Sequence, residues 1–143
     1  MPRLPATAAL IALTVATSAC ARNHTLPTQM APSKISTIGV NSYLWRAAVD
    51  TVSFAPLLQA DANGGVIITD WYSNPKAPGE RVKLTVSILD RDLRADGLRV
   101  AASRQINQSG AWVDAPVSAS TVQKLEDIIL TRARDLRRAA VRG

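Results

Sequence analysis

A single cysteine in the chain rules out an internal disulfide and a cysteine-based metal cluster, and a single histidine rules out a histidine-rich metal site. The sequence has no phosphate-binding P-loop and no G-x-G-x-x-G turn. Its one histidine, His24, stands in a polar, proline-containing stretch with no partner residues, so a Ser-His-Asp or Cys-His arrangement lacks its base. Acidic residues are scarce, 11 against 17 Lys and Arg, for a formal charge of +6. Seven glycines and eight prolines beside 47% hydrophobic residues are too few for a disordered chain. Long hydrophobic runs are missing too. The longest, Ala6 to Val15, is half of the roughly 20 residues a membrane-spanning helix needs. At 143 residues the chain accommodates one domain.

What is present begins with export. Arg3, the apolar run and the small residues before Cys20 make residues 1–19 a signal peptide. Ser18, Ala19 and Cys20 resemble the end of a bacterial lipobox, with Thr17 where lipoboxes usually carry Leu. That resemblance implies that the Cys20 thiol receives a diacylglycerol and becomes the new amino terminus. Ala19, Cys20 and Ala21 also form an A-x-A site, and cleavage there leaves a soluble periplasmic protein instead. Ala21 after the cysteine, where aspartate would signal retention, resembles the sorting pattern of outer-membrane lipoproteins. Export also reassigns the positive charge. An exported protein rarely meets nucleic acid, so anionic lipid, lipopolysaccharide phosphates or an envelope protein are the expected counterparts, and no nucleic acid is.

Residues 20–37 are polar, hold Pro27 and Pro32 and show no periodicity, which reads as a lipidated cysteine followed by a flexible tether. Residues 38–143 form the domain. Asn41 caps a helix from Ser42 to about Phe54, with Arg46, Asp50 and Ser53 as one polar stripe. A short candidate strand at Leu57–Gln59 precedes a strand over residues 66–73. From Glu80 to Asp90, Val82, Leu84, Val86 and Ile88 alternate with Arg81, Lys83, Thr85 and Ser87, the pattern of a strand with one wet and one dry face. Leu98 to Ile106 alternates likewise, broken by Arg104, and Ala111–Asp114 is a short candidate last strand. A long helix ends near Val141, with Val122, Leu125, Ile129, Ala133, Leu136 and Ala140 as its core stripe and arginines crowding its last turns. The expected fold is α+β: an N-terminal helix, a three- or four-stranded antiparallel meander and a long C-terminal helix, with both helices on one face of the sheet. Val86 and Leu125 are expected to face each other across the core.

Among carboxylates, Asp70, Asp90, Asp92 and Asp96 sit in or at the ends of strands. A glycosidase needs two of them about 5–10 Å apart in a cleft. Asp90 and Asp92 alternate with Arg91 and Arg94 in what reads as a solvated hairpin connection. No enzyme activity, metal or cofactor is expected. The wet sheet face, with Arg81, Lys83 and Arg99 as a three-cation cluster, is the expected interaction surface. Trp71 joins it if its strand exposes the set Ile67, Thr69 and Trp71.

The segments IGVNSYLWRAAVDTVSFAPL, GGVIITDWYS, ERVKLTVSILDRDLRADGLRV, WVDAPV and LEDIILTRARDLR, covering Ile38 to Arg138, resemble a family of proteobacterial exported proteins and lipoproteins known as domain of unknown function 3576 (DUF3576). The resemblance implies an envelope lipoprotein and carries no catalytic residues. In element order the chain also looks like small α+β lipoproteins that assist outer-membrane assembly. Three functions follow as expectations: foremost a lipid-anchored scaffold binding an envelope protein, then a lipid or lipopolysaccharide carrier, and last a cell-wall enzyme.

Overall fold

Asn41 begins the structure as the sequence predicts. Its side-chain Oδ1 accepts the Leu44 amide at 3.0 Å, capping α1 (Ser42–Val52). The computed structural model describes residues 39–143. The signal peptide, Cys20 and the tether expected over residues 1–37 lie outside the described residues. One face of α1 is buried through Tyr43, Leu44, Ala47, Ala48 and Val52. The helix stops two residues before Phe54, because the chain must turn at Ala55 and Pro56 to start the sheet.

The sheet has five strands in sequential antiparallel order, which corrects the expected three or four. They are β1 (Leu57–Asp61), β2 (Val66–Thr69), β3 (Glu80–Ile88), β4 (Leu98–Gln108) and β5 (Ala111–Ala115). Both short candidates are true strands, at the two edges. Every residue of β1 is exposed, so it has no apolar alternation and is held by backbone pairing to β2. β5 exists because Ser109 and Gly110, both with positive φ (53° and 91°), make the two-residue turn that suits a tight hairpin. In the turn between β1 and β2 Gly65 adopts φ 72°, and a Cβ there would lie 2.5 Å from the Ile88 carbonyl oxygen.

A short 3₁₀ turn (Ala95–Gly97) leads into β4, and α2 (Ala119–Arg142) closes the chain. The dry face of the sheet presents Ile67, Leu84, Val86, Ile88, Leu98 and Val100, which form one cluster with Leu44, Ala47 and Ala48 of α1 and Ile129, Leu130 and Ala133 of α2. The two helices also pack on each other. β5 pairs only with Arg104–Gln108, so the start of β4 has an open side. There Glu126 of α2 accepts the Val100 amide at 2.9 Å, satisfying a strand donor with a helix carboxylate.

Two core expectations separate. Val86 is buried, but Leu125 is only half-buried and lines a cavity; α2 meets the core most closely one turn further on, at Ile129. The loop carrying Asp90 and Asp92 is the expected hairpin connection, with Arg91 and Arg94 exposed, but its two aspartates are less solvated than expected. Both residues are half-buried, Asp90 accepts the Asp92 amide, and Asn41 donates to the Arg91 carbonyl at 2.9 Å.

Candidate functional site

Alternation along β3 places Arg81 and Lys83 opposite to Leu84 and Val86, on the face that carries no helix. Pairing carries that face across the sheet: Arg81 lies beside Gln105 of β4, and Gln105 beside Asp114 of β5. The side chains follow the same row. Arg81 Nε donates to Gln105 Oε1 at 2.8 Å, and Gln105 Nε2 donates to Asp114 Oδ1 at 2.8 Å. Above the row the Arg81 guanidinium lies between two indoles, 4.7 Å from the ring centre of Trp71 and 4.4 Å from that of Trp112. Each such contact contributes about 0.5–1 kcal/mol when exposed and up to about 2 when desolvated. Arg81, Trp71 and Trp112 are all half-buried.

Trp71 reaches this face by a route the sequence does not display. Ile67 and Thr69 point into the dry side, so simple alternation would bury Trp71 with them. Between the pair Ile68 and Thr85 and the bridge Tyr72 to Val82, however, the register slips by one residue. Three residues on one side then span two on the other, and a one-residue slip reverses the face. Tyr72 turns to the dry side, where its ring meets Phe54 edge-on at 5.1 Å, and Trp71 turns to the wet side.

Thr69 stabilises the slip. Its Oγ1 accepts the Leu84 amide at 2.9 Å, standing in for a strand carbonyl where the backbone departs, and Asp70 Oδ1 accepts the Trp71 amide at 2.7 Å. Thr69→Val keeps the shape and removes the acceptor. It is expected to cost about 1–3 kcal/mol in a denaturant titration and to speed hydrogen exchange at Leu84.

The other predicted residues fall unevenly. Lys83 shares the face, opposite Ser103. Arg99 shares it too, but it pairs with Ser87, six residues along β3 from Arg81 and four from Lys83. At about 3.3 Å per residue, that is about 20 and 13 Å. The expected three-cation cluster therefore does not form. The face instead centres on one arginine between two tryptophans. Sequence reasoning missed Trp112, Gln105 and Asp114. The signal was present in the two-residue Ser109–Gly110 turn, which fixes Asn107 opposite Trp112 and Gln105 opposite Asp114.

Away from this row, several charged groups form ion pairs at the surface. Arg104 binds Glu80 through two hydrogen bonds, 2.7 and 3.2 Å, and this guanidinium holds the Glu80 carboxyl below its ordinary range. Arg94 grips Asp96 in the same way, and its own pKa is raised by that contact. Arg138 at the end of α2 contacts Asp135. Among the described residues no group of three or more His, Cys, Asp or Glu is placed to hold a metal ion. No helix among them is long and apolar enough to cross a membrane.

The profile of the family described as domain of unknown function (DUF3576) matches residues 38–138, from just before α1 to the last turns of α2. The chain belongs to the DUF3576 family. An uncharacterized protein of Rickettsia prowazekii (strain Madrid E) is 40% identical over 97 residues, covering 68% of this chain and 58% of the relative. The chain thus matches less than two thirds of that relative's length. All the residues of the Trp71–Arg81–Trp112 stack, and Gln105 and Asp114 below it, lie inside the DUF3576 segment.

Proposed function

We propose that this DUF3576 protein is a lipid-anchored binding module of the cell envelope, without catalytic activity, that supports envelope assembly or maintenance by docking a protein partner on the wet face of its sheet. Acylated Cys20 holds it on the periplasmic side of the outer membrane, and residues 20–37 give the domain its reach.

The observation that carries this is the Trp71–Arg81–Trp112 stack on a sheet face left without a helix. Tryptophan and arginine are the residues most enriched where binding energy concentrates, and here they are fixed in place before any partner arrives. Gln105 and Asp114 restrain the arginine, so little side-chain entropy remains to be lost on docking. Lys83 beside the stack gives the face a positive character suited to an acidic protein surface.

The test is a pull-down of the full chain from detergent-solubilised envelope. Trp71→Ala with Trp112→Ala is expected to lose a stoichiometric membrane protein that the wild type recovers, while the double variant remains folded by circular dichroism. Cys20→Ala is expected to move the chain to the soluble fraction. Undiminished recovery by the folded double variant would reject the wet face as the docking surface.

A further inference from the structure

On the opposite, dry side of the sheet the helices leave part of the surface uncovered. The β4 residues facing that side shrink along the strand, Leu98, Val100, then Ala102, before Arg104 ends the series. A cavity of about 460 Å³ opens where they shrink, walled by Val82 and Leu84 of β3, Ala102 of β4, Leu125 of α2 and Phe54 beyond α1. Its volume falls within the range of about 300–1,000 Å³ typical of small-molecule sites, which are mostly apolar with a few placed polar groups. Arg104 is the one charged side chain in the wall. Glu80 engages its Nε and one Nη2 hydrogen, and a guanidinium has five N–H donors, so three remain.

We infer that this cavity binds a single-chain anionic amphiphile, its acyl chain against Val82, Leu84, Ala102 and Leu125 and its head group at Arg104. A lining that is mostly apolar but carries one arginine suits a ligand with both characters. Apolar walls favour a hydrocarbon chain over a polar metabolite, and the donors of Arg104 that Glu80 leaves open favour a carboxylate or phosphate over a neutral head. The site lies across the sheet from the Trp71–Arg81–Trp112 stack, so it is independent of the proposed docking face.

The test titrates the full chain with the fluorescent fatty acid cis-parinaric acid. Emission is expected to rise and saturate at one probe per chain. Ala102→Phe fills the cavity and is expected to abolish the rise with the thermal melt retained; should that variant not fold, Thr121→Trp obstructs the cavity from the exposed side of α2. Arg104→Gln is expected to weaken parinarate by about tenfold, the loss of one charge-assisted hydrogen bond, and to leave unchanged the dissociation constant of neutral hexadecanol obtained from competition after allowing for the weaker probe. Competition by palmitate alone assigns the head group to a free fatty acid. Competition by lysophosphatidylglycerol as well extends it to a lipid phosphate. Saturation unaffected in a folded cavity-filled variant, or binding indifferent to Arg104→Gln, would overturn the inference.

Discussion

Ile129→Ala is expected to destabilise the protein by about 2–5 kcal/mol, whereas Leu125→Ala, one turn earlier on the same stripe, is expected to cost about 1 kcal/mol. Both residues are large aliphatics at the helical spacing that faces a core. They differ in what surrounds them. Ile129 is 1% exposed in the cluster with Leu44, Val86 and Leu98, so its truncation opens a cavity inside the core. Leu125 is half-buried beside the cavity, so its truncation enlarges a space that solvent already reaches. Urea titration of the two variants checks the ordering, and equal losses would mean that α2 sits about one turn from where it is described.

Asn41→Ala is expected to cost about 2–4 kcal/mol, large for a side chain with no apolar contact to lose. Asn41 is fully buried and serves both ends of its amide. Oδ1 caps α1 through the Leu44 amide, and Nδ2 holds the Arg91 carbonyl of the loop before β4. Its own amide donates to the Asp90 carbonyl at 3.2 Å. Losing the cap to the Leu44 amide costs about 1 kcal/mol, and leaving the Arg91 carbonyl without its donor adds about 1–3 kcal/mol. Asn41→Ser retains an oxygen that caps the helix and is expected to recover part of the loss. A Ser variant no better than Ala in thermal unfolding would place the whole effect in the loop contact.

Local chemistry written in short repeats was legible from the sequence. The Asn41 cap, the alternation from Val82 to Ile88 and the apolar stripe through Ile129 and Ala133 all have the period of the element they build. β1 was harder to read because an edge strand exposed on both faces leaves no alternation. Its Leu57 and Leu58 look like any solvent-exposed pair. The position of Trp71 was illegible for a different reason. Its face depends on a one-residue slip stabilised by the Thr69 hydroxyl, and no period records an inserted residue. Arg99 shows the converse. Alternation assigns its face correctly, but proximity to Arg81 depends on pairing along the strands, which alternation does not specify.

On the function proposed, the wet face, and not the helical side, meets a partner in the envelope. Site-specific photocrosslinking in cells tests it most directly, with a benzophenone amino acid at Ser103, exposed on the wet face opposite Lys83, or at Ile128, exposed on α2. Irradiation is predicted to give one discrete higher-mass adduct from position 103 and none from position 128. An adduct from 128 with none from 103 would contradict it.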